Sequence, residues 1–152
     1  MFTIPQLKQY SQVLTDTVPA IKKWEIAVTV EELSQIVKDH KKTDNMLLLS
    51  LVPHHDVEGD QHDAQYRNVC GFFLLEKTDY KEGQEKYLEI FERTQQAAAD
   101  LVARMREDKD SGGGIFCNFL SGLDESSISI DPIKMQDGCN GHYVAVNFKT
   151  RP

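Results

Sequence analysis

Apolar residues recur at three- and four-residue steps near the start of the chain, at Leu7, Tyr10, Leu14 and Val18, with Val13 widening the stripe. That is the period of a helix with one buried face. Thr3 can cap it, Pro5 sits where a missing N–H does no harm, and Pro19 stops it. The period then switches to two. Trp24, Ile26 and Val28 alternate with Glu25 and Ala27, which predicts a short strand. Thr29-Val30-Glu31-Glu32 follows as a capping box, in which the Thr29 hydroxyl and the Glu32 carboxylate satisfy each other's free amides. Leu33, Ile36, Val37 and His40 carry that second helix forward on one face, and residues 41–44 end it in a polar turn.

Two dense apolar runs, 46–52 and 68–75, predict strands, both dense enough to be covered on both faces. The stretch between them, 53–67, is too long for a tight hairpin loop and predicts an extended hairpin with a polar, mobile tip. A long helix is predicted over 80–108. Asp79-Tyr80-Lys81-Glu82 resembles a capping box, and Tyr87, Leu88, Phe91, Gln95, Ala98, Leu101, Val102 and Met105 form its stripe. Glu89 and Arg93 add a surface pair, and the glycines of 111–114 end the helix. The last quarter reads as β: a strand over 115–120, a second through Ile128, Ile130 and Ile133, and a closing strand over 143–148. Asp137-Gly138 and Asn140-Gly141 predict a tight reversal before that last strand. The order predicts one α+β domain over 1–152. Its antiparallel sheet would pack on one long amphipathic helix, with additional N-terminal helices and all helices on one face.

Composition narrows the function classes. With 40% hydrophobic and 27% charged residues, the 152-residue chain has the balance of a globular protein rather than a disordered or fibrous one. Seventeen basic against 24 acidic residues give a net charge of −7, which argues against bulk or sequence-specific binding to nucleic acid and against anionic membranes. The basic clusters at 22–23 and 38–42 read as solvated helix ends. No apolar run approaches the roughly 20 residues of a membrane span. Pro5, Gln6, Lys8 and Gln9 break up the N-terminal stretch, so no secretory leader is expected. Cys70, Cys117 and Cys139 are odd in number and far apart, which predicts buried free thiols and a cytoplasmic location.

Candidate chemistry concentrates in 54–63. This stretch holds His54, His55 and His62 with Asp56, Glu58, Asp60 and Asp63, and no Lys or Arg. Imidazole and carboxylate suit a divalent transition metal, so His54, His55, Asp56 and His62, joined by Asp60, form a candidate metal set. The spacing matches neither a zinc-protease helix nor a calcium loop, and a solvated hairpin tip accounts for the same residues. Cys139 and His142 make a C-x-x-H pair, half a zinc site, for which Cys117 or the histidines of 54–63 could supply the further ligands. The plainer reading makes Cys70 and Cys117 small buried hydrophobes and His142 the start of an exposed strand. No nucleophile elbow is present, and the glycine run at 112–114 follows a helix instead of preceding one, so it is no phosphate cradle. No catalytic residue and no organic cofactor is predicted.

From residue 46 onward, the order of elements resembles the small α+β proteins of tailed-phage head–tail joining and tail-completion rings. The likeness rests on an extended hairpin (46–52 with 69–75), a long amphipathic helix (87–105) and a closing strand, Gly141-His142-Tyr143-Val144-Ala145-Val146-Asn147-Phe148. Residues 1–44 add a strand and a helix to the simplest version of that pattern. The resemblance implies a non-enzymatic virion or prophage assembly protein, located in the cytoplasm or the virion. Its partners would be further copies of itself and other virion proteins. The acidic hairpin at 53–67 would project into a neighbour or the ring's lumen, where negative charge would discourage sticking of DNA phosphates. The metal-binding protein or metal-dependent enzyme remains the alternative.

Overall fold

The computed structural model of the chain describes residues 1–60, 62–112, 114–134 and 137–151. The first helix, α1 (Ile4–Thr17), starts as the sequence predicts. The Thr3 hydroxyl accepts the Gln6 N–H, and the Gln6 side chain accepts the Thr3 N–H at 2.8 Å. Strand β1 (Lys23–Ala27) leads into α2 (Val30–Asp39), where Thr29 accepts the Glu32 N–H as expected, but Glu32 reaches one residue further back, to the Val28 N–H, and not to that of Thr29. The C-terminus of α2 is fastened by an amino group: Lys77 Nζ donates to the carbonyls of Val37, Lys38 and Asp137. Strands β2 (Leu47–Leu51), β3 (His54–Glu58) and β4 (Gln65–Lys77) follow, then α3 (Gln84–Asp110), a short α4 (Cys117–Leu120), β5 (Leu123–Lys134) and β6 (Cys139–Thr150).

The strands form one sheet in the order β1-β2-β4-β6-β5, with β3 beside β4 in the lane that β2 occupies further along. Every pairing is antiparallel except β1 with β2, which α2 connects as a crossover. The sheet is therefore mixed rather than purely antiparallel. Alternate residues of a strand face opposite ways, and the core divides accordingly. Leu48, Phe72, Leu74, Val144, Val146 and Phe148 pack with Leu7, Tyr10 and Leu14 of α1 and Leu101 and Met105 of α3. Leu47, Leu49, Phe73 and Leu75 face the other way and pack with Leu33 and Val37 of α2. Helices thus cover both faces, not one, because the leucine run of β2 is apolar on both sides.

Three further expectations change. Residues 115–120 are helical instead of extended: a 3₁₀ turn at Gly114–Phe116 runs into α4. Phe116, Phe119 and Leu120, buried at helical spacing, bring their side chains into the core beside Tyr10 and Phe2. The long helix begins only after Gly83 (φ 88°), which separates it from a 3₁₀ turn at Tyr80–Glu82. Its buried row runs Ile90, Thr94, Ala97, Leu101, Met105 and Asp108, whereas Leu88 and Gln95 are exposed. Lastly, Asn140 and Gly141 lie inside β6 and not in the turn. A Cβ on Gly141 would stand 1.9 Å from the Leu74 carbonyl oxygen, so close strand approach explains that glycine.

Candidate functional site

The acidic stretch singled out by the sequence is a strand over half its length. Residues 54–58 pair with Val69, Asn68, Arg67, Tyr66 and Gln65 in turn, so the hairpin is longer and more regular than a loop. Its tip turns at Gly59 (φ 91°), where a Cβ would meet the Asp63 carbonyl oxygen at 2.2 Å. The Asp60 carboxylate closes the turn by accepting the N–H groups of His62 and Asp63.

Strand geometry separates the predicted ligands. His54 and Asp56 are two residues apart and share a face, with His54 Nε2 3.0 Å from Asp56 Oδ1. On that face the charges form a chain across three strands. Asp56 pairs with Arg67 at 2.7 Å, Arg67 with Glu58 at 3.3 Å, and Glu58 with Lys149 at 3.7 Å. The hydrogen bond from Arg67 holds the Asp56 carboxyl below its ordinary range, and the same contact raises Arg67.

His55 points the other way. Its Nδ1 lies 2.8 Å from Asn68 Oδ1, which also accepts the Phe2 N–H, so the imidazole proton sits on Nδ1. The buried Asn68 amide then donates to the Phe148 carbonyl and the Thr150 hydroxyl. One asparagine thereby fastens β3, β4, β6 and the entry to α1. His62 is exposed at the tip, beyond both faces. Among the described residues no three His, Cys, Asp or Glu side chains converge as metal ligands. His54 with Asp56 supplies only two donors, where zinc sites take three or four from the protein.

The second candidate pair also divides. Cys139 and His142 are three apart on a strand and so face opposite ways. Cys139 packs under α2, its thiol pushed up to about 11 by burial. His142, buried rather than exposed, lies beneath α3 with its Nδ1 2.9 Å from the Thr94 hydroxyl. Burial also raises the Cys70 thiol, the reverse of what a nucleophile requires. The Cys117 side chain lies outside the described ones.

Beyond α2 the second face of the sheet carries no helix among the described residues. Tyr143 marks the boundary: its ring packs on Phe73 at 4.6 Å and covers Gly71, whose Cβ would meet Tyr143 Oη at 2.5 Å. Past it, Val69, Ala145 and Asn147 are half-buried and Lys149 is exposed, continuous with the ionic chain on the hairpin. Sequence reasoning missed this surface because its residues are ordinary and only the register assembles them. Asn68 carried no signal at all. No helix of the described residues is long and apolar enough to cross a membrane. No protein-family model and no curated protein matches the chain.

Proposed function

We propose that this chain is a non-enzymatic assembly protein of the tailed-phage type, acting in head–tail joining or tail completion as a homo-oligomer. The observation that carries the reading is the β3–β4 hairpin. It is a long, registered arm whose outer strand has one neighbour, whose second face lacks a helix, and whose root is locked by Asn68. A surface rigid enough to hold its shape and too polar to collapse is suited to docking. The paired strands β2 and β4, the long helix and the closing strand β6 are the elements on which the family resemblance rests, and the acidic tip suits a position beside DNA or a neighbouring subunit.

Native mass spectrometry of the untagged protein, before and after a chelator, tests this. The expected spectrum is a discrete higher oligomer whose mass leaves no room for a stoichiometric metal. A monomer carrying one ion per chain, lost on chelation, would overturn the reading and favour the histidine-based alternative.

A further inference from the structure

The two ends of the sheet differ in the strand they expose and match in what lies beside it. At one end, among the described residues, β1 has β2 as its single neighbour, and a groove of about 460 Å³ opens between α1 and α2 where β1 ends, with Val52 after β2 also lining it. Ile4 and Lys8 of α1 form one wall, Ile36 of α2 the other, and Ile26 and Val28 the floor. Two of these apolar side chains are held out in solvent, Val28 at 63% and Ile4 at 45% exposure. At the other end β5 has β6 as its single neighbour, and a groove of about 360 Å³ separates it from α3. Small residues hollow it: Ala99 and Ala103 on α3 face Ile128 and Ile130 on β5.

Charge and direction are complementary as well. Lys8, Lys22 and Lys23 lie along the first edge with Glu25 and Glu32, a net positive set in which Lys23 pairs with Glu25 and Glu32 caps α2. The second edge carries Asp124, Glu125 and Asp131 before its first lysine at position 134. Arg106 and Lys109 pair with Glu125, and Lys109 and Lys149 also act on Asp124, which leaves Asp131 without an ion pair among the described residues. Through the sheet order, β1 runs with β2, against β4, with β6 and against β5. A second copy set beside the first in the same orientation therefore brings its β5 antiparallel to β1. Pro132 and the bulge between Asp124 and Ser129 leave β5 only a short regular edge, which restricts indiscriminate strand pairing.

We infer that the β1 edge of one copy docks on the β5–α3 edge of the next, Val28 and Ile4 entering the hollow at Ala99 and Ala103. This inference rests on the homo-oligomer reading and specifies its interface. Different patches meet, so the contact is heterologous and repeats around a ring instead of stopping at a two-fold dimer.

Sedimentation velocity on the full chain tests it with two exposed-site variants, Val28→Arg and Ala103→Arg, each checked for a native circular dichroism spectrum. The wild type is expected to sediment as a closed oligomer and each variant as a monomer. An equal mixture of the two variants is expected to give one-to-one dimers and nothing larger, because each keeps one intact edge. If both variants sediment as the wild-type oligomer, the edges are not the interface, while the homo-oligomer reading stands. If a variant alone stops at a dimer, the contact is two-fold and the head-to-tail assignment is overturned. A wild type that is monomeric at every concentration overturns both the interface and the reading beneath it.

Discussion

β2 and β3 are five-residue strands that lie in the same lane beside β4, and they share almost nothing else. Leu47-Leu48-Leu49-Ser50-Leu51 is enclosed by α1 on one face, α2 on the other and β1 at its side. His54-His55-Asp56-Val57-Glu58 has an open outer edge, a helix-free face and no fully buried residue. In β2 the side chains determine position, because a one-residue slip would still bury leucines but misplace Ser50, which hydrogen-bonds Ser11 inside the core. In β3 the polar pairs set the register, with Asp56 opposite Arg67 and His55 opposite Asn68. The first strand builds the domain. The second extends from it and remains available.

That contrast can be broken most severely from the enclosed side. Leu49→Ala removes a fully buried side chain between β2 and α2 and should cost about 2–5 kcal/mol in urea unfolding. Val57→Ala, on the open strand at 70% exposure, should change stability by less than about 0.5 kcal/mol. Equal losses would mean that the hairpin is as integral as the core. Next comes the link between the two regions. Asn68→Ala leaves the Phe2 N–H and the Phe148 carbonyl without their partner, an expected loss of about 1–3 kcal/mol. Amide exchange should quicken at 54–58 before it does at 47–51. Gly71→Ala should follow at about 1–3 kcal/mol, since its Cβ must displace the Tyr143 ring, and Gly71→Ala with Tyr143→Ser should recover part of that.

Acid sharpens the same contrast, because the buried histidines belong to the enclosed region. Burial lowers His40 and His142 below the ordinary value of 6.5. His40 donates from Nε2 to Asn45, and its Nδ1 is buried with no acceptor within reach. A lowered histidine pKa means that the unfolded chain takes up protons first. Stability is therefore full above about pH 6.5 and falls as the pH drops from there toward the lowered values. Urea midpoints at pH 7.5 and 5.5 should show this fall, with a shallower slope in His40→Leu. The smallest effect is expected from Asp56→Asn on the open face. Its pairs with Arg67 and His54 are solvent-exposed and screened, so the unfolding midpoint should stay within replicate scatter.

Most of the enclosed region was legible in the sequence. The caps at Thr3 and Thr29, the two-faced run at 46–52 and the body of the long helix are local signals, and the structure contains them. What escaped depended on partners distant in sequence. Tyr87 and Phe91 looked like core but form an aromatic flank with Tyr80 and His142, while the small residues Thr94 and Ala97 take the buried row. Phe116, Phe119 and Leu120 read as a strand because six residues after a glycine run give too short a sample to separate periods of two and 3.6. β3 carried no apolar alternation, so its strand character rests on backbone pairing and polar contacts. The candidate ligands were visible as residue types, and only the register revealed that His54 and Asp56 share a face while His55 does not. The grooves beside β1 and β5 needed the strand order, which no local pattern encodes.

The most direct measurement is hydrogen–deuterium exchange on the wild-type protein, diluted to monomer and concentrated to its assembled state. The account predicts that 47–51 and 72–75 exchange slowly in both states, whereas 23–28, 54–58 and 128–131 slow down only on assembly. Protection gained only in other segments, with 23–28, 54–58 and 128–131 unchanged, would contradict it.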